Sequence, residues 1–334
     1  MNPILRNQCE LLVENRKTVS SVFWSDFNIL RITCASLYAG KNRRADADTM
    51  RECRRIVRKK KNFVSDFRGN INSMIVARMS MSASPEKYFD DLLEINGMFK
   101  RNKLIGSEYR ILSAMIINDT VGPAKAKEHI DRLYEIYDGM SKRHAFLTSP
   151  SDLPMAAVIS CCDLDADKVL EEMEQCFSVV KTKFRLRRGA VQSCSHVLSL
   201  NPADASSKCS KFFEVWDKLK ESGHKYGSDY QLAVLAALSG LDMSTDEMVR
   251  DIMDADDYLK HNRGFGNFIL GAKMRRMFAA LLTISSHAES AASEASVAGS
   301  SAAIAAALEI CMMIVMMTIM MSTTHYTNTN SSKS

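Results

Sequence analysis

Apolar residues recur along the chain at i, i+3 or i+4 and i+7, in blocks separated by polar connections. Leu5, Cys9, Leu12 and Val13 form one block; Ile130, Leu133, Tyr134 and Tyr137 form another; Cys209, Phe212, Phe213 and Trp216 form a third. This spacing puts the apolar side chains on one face of an α-helix and leaves the other face polar. Between the blocks lie shorter segments that are apolar on most sides, among them Met155 to Cys162, Leu232 to Leu238 and Phe278 to Ile284. A helix of that kind is touched by neighbours on more than one flank. The two kinds alternate with a period of about 40 residues, about seven times between Ile4 and Ser286.

The pattern predicts amphipathic first helices over 4–18, 46–61, 86–101, 124–141, 166–182, 203–221 and 245–260, and apolar second helices over 26–39, 70–82, 108–118, 152–162, 190–200, 229–240 and 272–286. Start signals agree. Ser84-Pro85-Glu86 sets a cap before a first-turn proline, and Ser244-Thr245-Asp246-Glu247 is a capping box. Trp24-Ser25-Asp26-Phe27 is echoed forty positions later by Val64-Ser65-Asp66-Phe67, and Gly106-Ser107-Glu108-Tyr109 by Gly227-Ser228-Asp229-Tyr230. One helical pair cannot bury its own apolar face, so such units stack. The expected fold is all-α: a right-handed α-solenoid-like stack of about seven helical hairpins over 1–286. An Ala/Ser-rich linker and an apolar helix over 287–321 and a disordered tail over 322–334 complete the chain.

Composition narrows this further. With 46% hydrophobic and 25% charged residues, the 334-residue chain can bury a sizeable interior, and scarce Gly (14) and Pro (6) disfavour hairpin-rich β folds. The nine cysteines form no C-x-x-C and have no histidine at zinc spacing, so they read as reduced, buried apolar residues of a cytoplasmic protein. The N-terminal segment turns charged at Arg6, before an apolar core of signal-peptide length, so secretion is not expected.

Several segments carry a resemblance. Ser65-Asp66-Phe67-Arg68-Gly69-Asn70, Ala190 to Leu198, Lys225-Tyr226-Gly227-Ser228-Asp229-Tyr230, and Asp256-Asp257-Tyr258-Leu259 through Arg263-Gly264-Phe265-Gly266 resemble a bacterial family, mainly of Firmicutes. It is catalogued as domain of unknown function number four thousand and three. The resemblance spans about residues 4–320, implies a bacterial origin, and brings no activity, cofactor or catalytic residue with it.

Charge is uneven. Residues 1–68 hold 15 Lys/Arg against 7 Asp/Glu, the remainder 29 against 32. Arg51, Arg54, Arg55 and Arg58 fall on one helix face opposite Met50, Cys53 and Val57, followed by Lys59, Lys60 and Lys61. Such a face either neutralises phosphates of nucleic acid or anionic lipid, or is a solvated surface with cations at a helix C-terminus. A second basic stretch, Lys181 to Arg188 with Arg187 and Arg188 at its end, joins two predicted helices.

Other motifs have plainer readings. Asp163-Leu164-Asp165-Ala166-Asp167 with Glu174 imitates an EF-hand loop, but Lys168 stands where its glycine is needed, so a helix start is expected. Gly264 to Gly271 lacks the Gly-Lys-Ser/Thr of a phosphate loop and reads as a sharp turn. Ser193, Cys194, Ser195 and His196 are consecutive, and neighbours on a helix point about 100° apart, so they form no catalytic dyad. No catalytic residue, cofactor or metal is expected.

Ala302 to Met321 contains one charge, Glu309, over twenty residues. Its length suits a membrane span. An alanine-rich, carboxylate-bearing segment without flanking cations suits a covering helix on the last hairpin better, with tail anchoring to the cytoplasmic membrane as the alternative. The functional expectation is a non-catalytic scaffold that binds a protein or peptide. The alternatives are a nucleic-acid or anionic-ligand binder through Arg51 to Lys61, and an enzyme whose groove site is assembled from distant hairpins.

Overall fold

Capping side chains set where the amphipathic helices begin. Asn2, Asp46, Asp165 and Asp204 each accept the backbone N–H three residues on, and Ser244 and Glu247 form the reciprocal capping box. In the computed structural model, which describes residues 1–60, 67, 69–99, 107–162 and 164–294, these residues open α1 (Pro3–Val22), α3 (Ala47–Lys59), α9 (Ala166–Val180), α11 (Ala205–Glu221) and α13 (Thr245–Lys260). Two further amphipathic helices, α5 (Pro85–Met98) and α7 (Pro123–Arg143), begin on a first-turn proline instead. Ser84 makes no side-chain cap bond; Pro85 itself supplies the helical φ and needs no partner for a missing N–H.

The apolar segments form α2 (Asn28–Ala39), α4 (Ile71–Met81), α6 (Ser107–Thr120), α8 (Leu153–Cys161), α10 (Arg188–Leu198), α12 (Gln231–Leu238) and α14 (Ala272–Glu294). A short 3-10 turn, Pro150–Asp152, leads into α8. The described residues thus hold 14 α-helices and no strand, and 74% of them are helical. Every residue of α12 is buried, and so is all of α8 but Cys161, which is the burial expected of helices with neighbours on several flanks. The amphipathic helices bury one stripe only: Met50, Cys53 and Val57 in α3, for instance. They form an outer layer, the apolar helices an inner one.

Each outer helix packs on the inner helix that follows it, and outer helices meet outer helices in chain order from α1 to α13. The connections within a pair are short, so the two helices run antiparallel. Starts of inner helices meet starts: Arg187 reaches Asp229 at 3.5 Å, and Arg276 donates to the Lys225 carbonyl at 2.7 Å. Finishes meet finishes, as in the Tyr38–Ser80 bond and the Arg78–Asp119 ion pair. The outer-to-inner connections, as far as they are described, therefore emerge at one end of the molecule.

The first pair also packs on the last. α1 lies against α13 and α14, and α14 touches α2. The Met1 amine pairs with Asp254, Gln8 donates to Glu289 at 2.9 Å, and Asn28 donates to the Gly264 carbonyl at 3.0 Å. Arg16 bridges Asn28 and the Arg263 carbonyl. Gly264 has φ +98, which favours glycine, and a Cβ there would fall 2.0 Å from the Arg16 guanidinium carbon, so a larger residue would also push Arg16 from its place. The row of pairs closes on itself. An exposed final hairpin in need of a covering helix is not what the contacts give. The segments 302–321 and 322–334 lie outside the described residues. Among those residues no helix is long and apolar enough to cross a membrane.

Arg275, at 2% exposure, ties α13, α14 and the connection between them together from within. Its guanidinium donates to Asp256 at 2.6 Å, to the Phe265 carbonyl and to Asn267, while Arg276 shares Asp256 at 3.2 Å. The segments Asp256 to Leu259 and Arg263 to Gly266 are joined by this network, and Lys225 is tied in by Arg276.

Candidate interaction surface

The two ends of the molecule differ in their connections. The six inner-to-outer connections run from two to seven residues, whereas the seven outer-to-inner ones run from five to eleven. In sequence the longer set carries twelve Lys/Arg against four Asp/Glu, the shorter set three against five. Among the described residues alone, the longer connections hold seven Lys/Arg against three Asp/Glu and the shorter ones three against four, so the described connections at that end are the more basic.

That end also bears the exposed large apolar side chains. Trp24 (78% exposed) and Phe27 (49%) lie between α1 and α2, Phe146 (104%) between α7 and α8, Leu186 (97%) between α9 and α10, and Phe268 (106%) and Ile269 (59%) between α13 and α14. Single exposed apolar residues are ordinary on a protein surface. Here all six, drawn from four hairpins, sit on one end and none on the outer faces or at the opposite end, among the described residues. Leu186 is flanked by exposed Arg185, Arg187 and Arg188, and Phe146 follows exposed Lys142 and Arg143.

The arginines singled out by their spacing divide into several environments. Arg51 pairs with Asp48 at 2.6 Å and Arg55 with Glu52 at 2.7 Å, both along the exposed side of α3. Arg54 donates to the Val22 carbonyl at 3.0 Å and stacks over Phe23 at 5.2 Å, which ties α3 to the first connection. Arg58 and Lys59 are exposed in the last turn of α3, at the basic end. Lys60 bridges to Asp90 and Glu86 of α5, and Lys61 lies outside the described residues. Arg187 and Arg188 stand at the start of α10, exposed, at the same end as Arg58 but three hairpins on. The structure thus gathers Arg58, Arg187 and Arg188 at one end and engages Arg51, Arg54 and Arg55 within α3 and its neighbours.

Beneath this surface Asp152 and His196 approach, Oδ1 to Nδ1, at 3.6 Å, both buried. Burial pushes the Asp152 carboxyl up to about 6, and burial, then the nearby His144, pushes His196 down to about 3. Above about pH 3, neutrality included, His196 stays uncharged, and 3.6 Å is too long for a hydrogen bond. Asp152 is instead held by the Ser149 N–H at 2.9 Å, as cap of the 3-10 turn. Ser195 donates to the Gln192 carbonyl and the Cys194 thiol is buried, its pKa raised by desolvation. This cluster holds no paired nucleophile and base.

The remaining motifs resolve locally. Asp165 caps α9 and Glu174 lies 2.8 Å from His144, while Asp163 is outside the described residues. Among the described residues no group of histidine, cysteine and carboxylate side chains is placed to hold a metal ion. A cleft of about 470 Å³ opens at the opposite end, lined by Arg43, Arg78, Lys87 and Asp91 among others. Its cations are committed: Arg78 to Asp119, Arg43 to the Met81 carbonyl, Lys87 to Asp91. The eight described cysteines are free of disulfides, six of them buried.

Periodicity marked Trp24 and Phe27 only as the start of a repeated motif, not as surface residues, and did not single out Phe146, Leu186, Phe268 and Ile269. The signal available was their position: large apolar residues inside connections, beside arginines or glycines, where no core takes them up.

The fold and this surface define an all-α protein of stacked helical pairs with one basic, apolar-studded end. The chain belongs to the family described as Protein of unknown function (DUF4003), whose model matches residues 16–323. No curated protein matches the chain. No solved structure matches it either.

Proposed function

We propose that the protein is a non-catalytic, solenoid-like helical scaffold that docks a macromolecular partner through its basic end. The observation that supports this reading is the confinement of all six exposed large apolar side chains to that end. Leaving such residues in water costs roughly 1.5–3 kcal/mol each relative to burial, and a fold that buries its other large apolar residues has no packing reason to leave these out. Cations around them add a long-range attraction for an anionic partner. Protein, peptide, nucleic acid and anionic surfaces all fall within the reading. It extends the expectation of a binding scaffold and moves the contact from a groove, or from the α3 face, to the loop-bearing end. The buried Asp152 and His196, without a nucleophile facing them, give an enzymatic reading nothing comparable.

Site-specific photocrosslinking in cells tests the location. A crosslinker at Leu186 or Phe268 is expected to capture adducts, whereas one at exposed Glu171 on the outer helix α9 captures few. Equal capture at all three positions would remove the loop-bearing end from the reading.

A further inference from the structure

We infer that the basic end is a peripheral membrane-docking face, and that its partner is the interfacial region of a bilayer containing anionic lipid. The inference rests on the docking reading above and names the chemistry of the partner.

The form of the apolar surface argues for lipid. Phe146, Leu186 and Phe268 are fully exposed, so each stands clear of the protein, on connections of different hairpins. A protein interface is built round a contiguous apolar centre that excludes water. Separate protruding side chains suit a fluid boundary, into which each inserts without a matching pocket. Trp24 has the amphipathic ring that concentrates at headgroup level, and Leu186 and Ile269 have no π-face for a nucleic-acid base to stack on. The charges fit the same partner. Arg185 and Arg188 make no ion pair among the described residues and flank Leu186, so insertion of the leucine carries both guanidinium groups to phosphate depth.

Backbone polarity adds to this. The inner helices α2, α4, α10 and α12 begin at this end, and none has a side-chain cap bond at its start. Five of the outer helices, which begin at the opposite end, are capped by Asn2, Asp46, Asp165, Asp204 and Ser244. The partial positive charge of helix starts is therefore answered by side chains at five outer helices, and left to the surroundings at α2, α4, α10 and α12. No membrane-spanning helix is needed: apolar insertion and basic attraction are the two signals that together hold a protein on a bilayer reversibly.

The chain carries its own reporter. It has two tryptophans; Trp24 is exposed at this end, and Trp216 is packed between Phe184 and Tyr226. The full-length protein is sedimented with vesicles of phosphatidylcholine alone, or of phosphatidylcholine and phosphatidylglycerol in equal parts, with and without bromine-labelled acyl chains. Binding to the anionic vesicles only, with Trp24 emission quenched by the bromines, is expected. The Leu186→Ser/Phe268→Ser variant is expected to lose at least about tenfold in affinity, and Arg185→Glu/Arg188→Glu by a similar factor that shrinks as salt rises. Both pairs are surface positions, so unchanged circular dichroism and melting separate lost docking from misfolding. Equal binding by the parent and both variants would overturn the inference, as would no binding to anionic vesicles. If vesicles are not bound while Leu186 and Phe268 still crosslink to a protein or to nucleic acid, the docking reading stands and the lipid assignment falls. If neither occurs, both fall.

Discussion

The two ends of this molecule are built from the same fourteen helices and solve opposite problems. At the end where inner helices finish, the chain turns within two to seven residues and polar groups are consumed internally: Arg78 meets Asp119, Tyr38 meets Ser80, and five of the outer helices that start there are capped by side chains. At the other end the connections are longer, the inner helices α2, α4, α10 and α12 lack side-chain caps, and arginines and apolar side chains face solvent. Local satisfaction at one end secures the stack, and its absence at the other is what a docking face requires. The difference teaches that an all-helical fold can be uniform in its buried layer and polarised from one end to the other.

The largest expected effect breaks the comparison from inside. Arg275 belongs to the basic end but is structural: Arg275→Ala leaves Asp256 buried beside Arg276 alone and frees the Phe265 carbonyl. Breaking a buried pair costs about 3–5 kcal/mol, read as a lower urea midpoint. A loss below about 1 kcal/mol would mean that Asp256 and the Phe265 carbonyl find other partners in the last pair. Arg78→Ala at the opposite end removes a pair whose members are each 10% exposed. A loss of about 2–3 kcal/mol follows, with vesicle binding unchanged. Reduced vesicle binding in this variant would show that the two ends are not functionally separate.

The smallest effect concerns pH. His196 has a folded pKa near 3, below its unfolded value of 6.5, so only the unfolded chain takes up the proton as pH falls below 6.5, and the native state loses stability. Asp152, raised to about 6 from 3.8, acts in the reverse sense: the native state takes up its proton first, so stability rises as pH falls through 6. The two nearly offset each other between pH 7 and 5. His196→Gln removes one side of the balance, so relative to the parent the variant gains about 1–2 kcal/mol between pH 7 and pH 5. A parallel pH profile for parent and variant would show that His196 is charged in the native state.

Most of the helical order was legible from spacing alone. The amphipathic stripe of α13 and its Ser244–Glu247 box place that helix at 245–260, where it is found. The inner segment Leu232 to Leu238 reads as buried on every side, and it is. Bounds differ where a neighbour decides them. α14 extends to Glu294, beyond the expected 286, and Glu289 on that extension accepts from Gln8 and Asn42 of the first pair. The site was less legible. Charge spacing pointed to Arg51, Arg54 and Arg55, which find partners in space, and to Arg58, Arg187 and Arg188, which come to lie at one end.

What the sequence determined by itself is local: which residues are helical, which helices are inner or outer, and where caps fall. Those properties depend on spacings of three to four residues and on hydrogen bonds within one turn. Closure of the last pair on the first was decided only in three dimensions. It rests on Gln8–Glu289, Asn28–Gly264 and Met1–Asp254, contacts between residues more than 230 positions apart that no local period encodes. The same holds for the polarity of the two ends, because only antiparallel pairing and packing of the pairs side by side collect the described outer-to-inner connections onto one face.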